Sequence, residues 1–224
     1  MWMEGSTSGV YRMWFQHMDI NRIPFYQYNT IIVGTGAAGL NAAVTLHKLG
    51  QKNIALITEG RYMGTSRNTG SDKQTYYKMT QCGSEPDSVR KMAKTLFEGG
   101  CVDGDIAMAE AAGSLRAFYH LVDIGVPFPF NKSGEYVGYK TDHDPLKRGI
   151  SAGPLTSKYM TECLERQAEE RGIPFFDGYQ AVRLLTEEKD GEKRAAGIIA
   201  LNKQKAASPD ERYAVFSAVN IIWA

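Results

Sequence analysis

Cysteine is scarce in this sequence. Cys82, Cys101 and Cys163 are the only three among 224 residues. Their odd number and wide spacing exclude a disulfide framework, and neither a zinc pattern nor a C-x-x-C redox pair is present. They read as reduced thiols, which sets the expectation of a cytoplasmic protein. Excess charge is also missing: 26 basic against 25 acidic side chains leave a formal net charge of +1. A generic binder of nucleic acid or anionic membrane needs surplus cation, so neither partner is expected. No apolar run approaches the roughly 18 residues that span a bilayer. The first residues lack a basic stretch leading into an apolar core, so no secretory leader is expected. Internal repeats and low-complexity tracts are absent as well.

What is present is an ordinary globular composition, 43% hydrophobic, in a chain long enough for one large domain or two small ones. Its organising stretch runs from Tyr28 to Glu59. Thr30-Ile31-Ile32-Val33 is a β-branched run suited to a strand buried on both faces. Gly34, Gly36 and Gly39 follow as G-x-G-x-x-G and open a helical pattern reaching Leu49, with Leu40, Ala43, Val44 and Leu46 as its apolar stripe. Gly50 stops that helix, Ile54 to Ile57 form a second buried strand, and Glu59 stands just beyond it. Strand, glycines, helix, strand and terminal acid occur in the order of a dinucleotide-binding βαβ unit. Gly34 makes the tight turn, Gly36 admits a pyrophosphate to the backbone, and Gly39 lets helix and strand pack closely. Ala37 and Ala38 lie between them, where the helix N-terminus offers N–H groups and a positive dipole end. Glu59 lies where an acid accepts hydrogen bonds from ribose hydroxyls.

No third βαβ strand follows at once. Gly60 to Ser71 is a loop dense in Gly, Ser, Thr and Asn. Gly60, Arg61, Thr65, Ser66, Thr69, Gly70 and Ser71 supply N–H, hydroxyl and guanidinium donors suited to phosphates and a flavin edge, with Arg67 adding charge. A helical segment over 85–172 comes next. Ser84 to Asp87 resembles a capping box ahead of Val89, Met92, Ala93 and Leu96. Asp103 caps a second helix, with Ile106, Ala109 and Leu115 expected inward. Asp142-His143-Asp144 reads as a solvated turn rather than a metal or acid/base site, because adjacent loop residues rarely converge on one ion. Pro154 opens a third helix with Leu155, Met160 and Leu164 inward. Over 173–218 the period changes to that of an antiparallel β-meander, with short strands at 173–176, 181–186, 195–201 and 213–218. A final apolar run, 219–224, follows.

This succession resembles the FAD-binding domain of the succinate dehydrogenase/fumarate reductase flavoprotein family, which includes L-aspartate oxidase. The stretch TIIVGTGAAGLNAA is similar to that family's opening motif, and the likeness runs from Asn29 to Ala224. The resemblance implies an α/β, Rossmann-like two-dinucleotide-binding fold with an antiparallel β-meander, C-terminally truncated. Residues 1–28 then form an N-terminal extension and 29–224 the N-terminal portion of the FAD-binding domain, without the substrate-capping domain. It further implies that backbone near Ala181 contacts the adenine, and that AVNIIWA ends at the first residue of the family's A-T-G-G turn, Ala224.

The same resemblance implies FAD as cofactor, a small carboxylated substrate, an electron donor or acceptor, and hydride transfer in the full-length oxidoreductase. Quinone-linked relatives attach FAD through a histidine in the loop after the second strand. None occurs between His47 and His120, which implies non-covalent FAD. The family's substrate-binding and proton-transferring residues fall beyond Ala224, so no catalytic residue is assigned and the chain alone is expected to be inactive. Two other readings remain open: an NAD(P)-dependent Rossmann oxidoreductase, and a nucleotide- or partner-binding module without turnover.

Overall fold

The computed structural model describes residues 23–71, 74–82, 86–142, 144–208 and 211–224. Ser84, Glu85 and His143, which figured in the sequence reading, lie outside them, as do His17, Lys73, Pro209 and Asp210. The chain divides into two compact units, Met1–Gly64 with Ala168–Ala224, and Thr65–Gln167. No helix among the described residues is long and apolar enough to cross a membrane.

The first unit is built on one sheet. Strand β1 (Phe25–Val33) leads to helix α1 (Ala37–Lys48) and strand β2 (Ile54–Thr58), which is buried along its whole length. Strands β5 (Phe175–Asp177), β6 (Tyr179–Lys189), β7 (Glu192–Asn202) and β8 (Tyr213–Trp223) complete it in the order β5-β2-β1-β8-β7-β6. Parallel pairing joins β1 to β2, β1 to β8 and β2 to β5. Parallel strands covered on both faces need continuous apolar sequence, and Ile31, Ile32 and Ile54 to Ile57 supply it at 0–1% exposure. Ile31, Ile57, Ile198, Ala200, Ala214 and Phe216 form the buried cluster, with Tyr26 and Phe176 packed against it. Tyr26 stacks on Phe216 at 4.9 Å, and Phe176 meets the same ring edge-on at 4.8 Å.

Three sequence expectations change here. The run near Ile173 becomes β5 two residues later and pairs parallel with β2, so it is no part of the antiparallel meander. The meander is β6, β7 and β8 alone. Its third strand and the final apolar run are one continuous strand: β8 pairs antiparallel with β7 through Tyr213–Ser217 and parallel with β1 as far as Trp223. The physical reason is backbone pairing, which periodicity cannot assign, since both partners demand the same apolar residues from β8. Residues 25–28, read as the end of the extension, form the first half of β1 and pair with Val215–Ala218. Asp190 and Gly191 make the turn between β6 and β7. Both have positive φ, 54° and 78°, in a two-residue hairpin loop that follows the strand twist.

The second unit holds a one-turn helix α2 (Thr65–Asn68), strands β3 (Tyr76–Tyr77) and β4 (Gly149–Ile150), helices α3 (Val89–Glu98) and α4 (Gly104–Asp123), and most of α5 (Thr156–Glu170). The cap of α3 is Ser88, whose side chain accepts from the Lys91 N–H, four residues beyond the expected Ser84. Asp103 caps α4 as expected, accepting from the N–H groups of Asp105 and Ile106. The buried face of α4 is Ala107, Ala111, Ser114, Phe118 and Leu121, and Ile106 is 62% exposed. The expected face was displaced because Phe118, the largest buried side chain on the helix, commands the interior. Small residues at 107 and 111 then let α4 approach Met92 and Ala93 of α3. Leu155 is likewise exposed, while Thr161, Cys163 and Leu164 are buried.

Asp144 corrects the solvated-turn reading. It is 7% exposed and belongs to a buried ionic cluster around Arg148, itself 1% exposed. The Arg148 guanidinium donates to Asp87 from Nε at 2.8 Å and Nη2 at 2.7 Å. Its Nη1 donates to Thr95 Oγ1 at 2.9 Å, to the Tyr77 hydroxyl at 3.2 Å and to Asp144 at 3.3 Å. Burial pushes the Tyr77 hydroxyl up to about 12, reinforced by its hydrogen bond to Asp144. All three nitrogens of this buried cation have a partner, as low-dielectric surroundings require.

Candidate nucleotide-binding site

The β1–α1 turn is so tight that no side chain fits at Gly34 or Gly39. Gly34 takes φ +111°, and a Cβ there would stand 2.1 Å from the Ala224 carbonyl oxygen. A Cβ on Gly39 would stand 2.2 Å from the Gly34 carbonyl oxygen, which is the close helix–strand packing assigned to that glycine. Gly34 N–H donates to Ile57 at 2.8 Å and Ala224 N–H donates to Val33 at 2.9 Å, so the turn is clamped between the ends of β2 and β8. The Gly36 carbonyl accepts the first intrahelical bond from Leu40 N–H at 3.0 Å. No side chain caps this helix end and no acid occupies its first turn. Gly36, Ala37, Ala38 and Gly39 therefore present a positive end suited to a diphosphate.

Glu59 stands just past β2, its Oε1 accepting from Lys203 Nζ at 2.8 Å. Both side chains are a little over two-fifths exposed, so the pair is open to water and to a competing hydroxyl. Gly60 and Arg61 follow, and Arg61 is committed elsewhere than expected. Its guanidinium pairs with Glu169 and lies over the Phe175 ring at 4.1 Å, while its N–H donates to Asp177 Oδ1 at 2.8 Å. Ala181 lies on β6 opposite Ala200, where the register slips between Ala181 and Arg183. Such a bulge re-aims backbone groups at a sheet edge.

The remaining loop donors belong to the second unit. Thr65, Ser66, Thr69, Gly70 and Ser71 surround α2 rather than an irregular loop. Ser71 N–H donates to the Pro154 carbonyl at 3.1 Å, and Thr69 Oγ1 donates to the Thr65 carbonyl at 2.9 Å. A Cβ on Gly70 would press on Leu155 and Pro154 at 3.2 and 3.3 Å. Arg67 pairs with Glu165 on α5, so its charge is matched within the protein. Both loop arginines are neutralised because α5 presents carboxylates four residues apart, at Glu165 and Glu169, which no local pattern around 60–71 discloses.

Four residues escaped the sequence reading. Thr35, the middle residue of G-x-G, is 7% exposed and donates to Thr58 Oγ1 at 3.1 Å, tying the turn to the end of β2. Gly64 comes within reach of Gly36, a Cβ there standing 3.7 Å from the Gly36 Cα. Lys203 is the fourth. A hydroxyl inside the glycine motif and another ending β2 are a legible signal for the threonine pair; Lys203, 144 residues from Glu59, carries none.

Comparison with known proteins agrees with this geometry. Residues 29–222 match the family model of an FAD binding domain. The chain is 29% identical over 195 residues to the L-aspartate oxidase of Pseudomonas aeruginosa, covering 80% of this chain and 34% of that protein. It is 33% identical over 179 residues to the 8-methylmenaquinol:fumarate reductase flavoprotein subunit of Wolinella succinogenes, covering 78% and 29% respectively. Among solved structures, Mycobacterium smegmatis Sdh1 superposes with a TM-score of 0.77 at 17% identity, over 90% of this chain and 34% of that one. The chain thus spans about a third of the length of the curated relatives it matches. A glycine turn that excludes side chains, an uncapped helix end and an acid beyond β2 are the parts an FAD-binding sheet requires. The chain belongs to the FAD binding domain family.

Proposed function

We propose that this chain is the cofactor-holding part of an oxidoreductase that moves a hydride to or from a small carboxylated substrate. Gly34, Gly36, Ala37, Ala38 and Gly39 orient the diphosphate of FAD, held without a covalent bond. Glu59 accepts from the ribose hydroxyls once Lys203 yields one oxygen, Gly60 and Arg61 continue the wall, Ala181 offers backbone to the adenine, and Ala224 closes the turn. Thr65, Ser66, Thr69, Gly70 and Ser71 are proposed as further donors on chemistry alone. When bound, FAD supplies hydride transfer, and the protein contributes position and electrostatics. Substrate class is inferred from the names of the relatives, an aspartate oxidase and a fumarate reductase. Three free cysteines favour a reducing, cytoplasmic setting. An electron donor or acceptor is required and is not identified.

The observation that supports this reading most is the Gly34–Gly39 turn, where backbone oxygens at 2.1 and 2.2 Å leave no space for a Cβ. The experiment is FAD affinity of Gly36→Val and Glu59→Ala. Losing the carboxylate removes charge-assisted hydrogen bonds worth about 1.5–3 kcal/mol, a weakening of at least tenfold. Wild-type affinity in both folded variants contradicts the assignment.

A further inference from the structure

Lys78 is a buried lysine that makes no hydrogen bond or ion pair to a carboxylate among the described residues. Its residue is 2% exposed, among the most buried large side chains of the protein. Nζ has one long contact, to the Met79 carbonyl at 3.4 Å, and lies 4.8 Å from the centre of the Phe118 ring. The contrast with Arg148 is sharp, since that cation is fully hydrogen-bonded by Asp87, Thr95, Tyr77 and Asp144. Phe118 is itself packed among Tyr76, Phe128 and Tyr136. A ring face offsets only part of a desolvated ammonium's cost. Burial accordingly lowers the Lys78 pKa, favouring the neutral amine.

That amine borders a cavity of about 270 Å³ lined also by Gln81, Cys82, Tyr119, Glu135 and Tyr136. The Tyr119 hydroxyl donates to Gln81 Oε1 at 2.6 Å, and Asn131 Nδ2 donates to Glu135 Oε2 at 2.7 Å, so the wall is held by its own hydrogen bonds. All these residues lie within the second unit. A carboxylate on the wall disfavours an anionic guest, while a lysine lining the same cavity as a carboxylate and two phenols suits condensation with a carbonyl group.

We propose that the Lys78 cavity is a carbonyl-binding site in which Nζ condenses reversibly with a small uncharged aldehyde or ketone. The Nζ lone pair attacks the carbonyl carbon, and the carbonyl oxygen takes up a proton to give a carbinolamine. Loss of that hydroxyl as water, with the remaining proton of the amine, leaves an imine. One carbonyl compound is consumed, one water is released, and no electron changes hands. Glu135 and Tyr136 are the proton-exchanging groups on the wall. The proposal is independent of FAD binding.

The test is reductive trapping. The whole chain is treated at neutral pH with acetaldehyde and cyanoborohydride, and ethylated lysines are mapped by mass spectrometry against time. Lys94, with its side chain 71% exposed, is the internal reference. Lys78 is expected to label severalfold faster than Lys94, because burial lowers its pKa and leaves a larger share of its amine neutral. Glu135→Gln is expected to slow Lys78 severalfold and leave Lys94 unchanged, and glyoxylate is expected to label Lys78 more slowly than acetaldehyde. Labelling of Lys78 at or below the rate of Lys94 in the wild-type chain overturns the proposal, and it needs no variant to fold.

Discussion

Replacing Arg148 by methionine tests how the second unit is held together. The substitution keeps an unbranched side chain of similar reach but removes the cation between Asp87 and Asp144. Thr95 is not orphaned, since its hydroxyl also donates to the Lys91 carbonyl at 3.0 Å. Asp87, whose side chain is 0% exposed, keeps only the N–H groups of Thr80 and Ser88. Removing one partner of a buried ion pair costs about 3–5 kcal/mol. Against a urea dependence of about 2 kcal/mol per molar, the unfolding midpoint of this unit should fall by about 2 M at pH 7. The pH dependence has a definite sign. Burial pushes the Asp87 carboxyl up, but the Arg148 hydrogen bonds and charge together with the N–H groups of Ser88 and Thr80 outweigh it and hold the group below its ordinary 3.8. Stability from the ionised carboxylate is therefore present above 3.8 and lost as pH falls through the lower, folded value. In the variant only the N–H groups of Thr80 and Ser88 offset burial, so Asp87 takes up its proton at higher pH than in the wild type. The gap between variant and wild type should narrow on acidification towards pH 4. A loss below about 1 kcal/mol at pH 7, or a gap that widens with acid, refutes the buried pair.

The other expectations concern the cofactor. Gly39→Ala drives a methyl onto the Gly34 carbonyl at 2.2 Å, so a shifted helix, a fall in Tm and weaker FAD binding should appear together; unchanged affinity contradicts the close packing. Lys203→Ala frees Glu59 from a half-exposed pair worth at most about 1 kcal/mol, so FAD affinity should rise by no more than about fivefold, measured by fluorescence titration. A larger change, or a loss, would give Lys203 its own contact with the nucleotide. The loop from Gly60 to Ser71 contains no histidine, so acid precipitation should leave the yellow colour in the supernatant; flavin on the pellet would mean another side chain attaches it.

The nucleotide turn was legible because its constraints are local. Gly34, Gly36 and Gly39 sit in one loop, their demands are steric, and Ile54 to Ile57 announce a strand buried on both faces. The partners of β8 were not, because a strand between β1 and β7 needs the same alternation whichever neighbour it pairs with. The inward face of α4 was misjudged by one residue, since Ile106 competes with Phe118 only in sequence; in the fold the larger ring decides. Arg61 and Arg67 looked like phosphate ligands until α5 brought Glu169 and Glu165 to them across about a hundred residues. Long-range charge pairing leaves no spacing to read. Asp144 shows the same effect, a loop acid made structural by Arg148 four positions on and Asp87 far upstream.

The central claim is that the uncapped end of α1 and Glu59 hold FAD. The measurement is a titration of the purified chain with FAD, followed by flavin fluorescence and by the visible spectrum, with NAD as competitor. The account expects saturable binding at one FAD per chain, a flavin spectrum that survives desalting, and no displacement by NAD. Failure of the folded chain to bind FAD, or displacement of bound FAD by equimolar NAD, contradicts it.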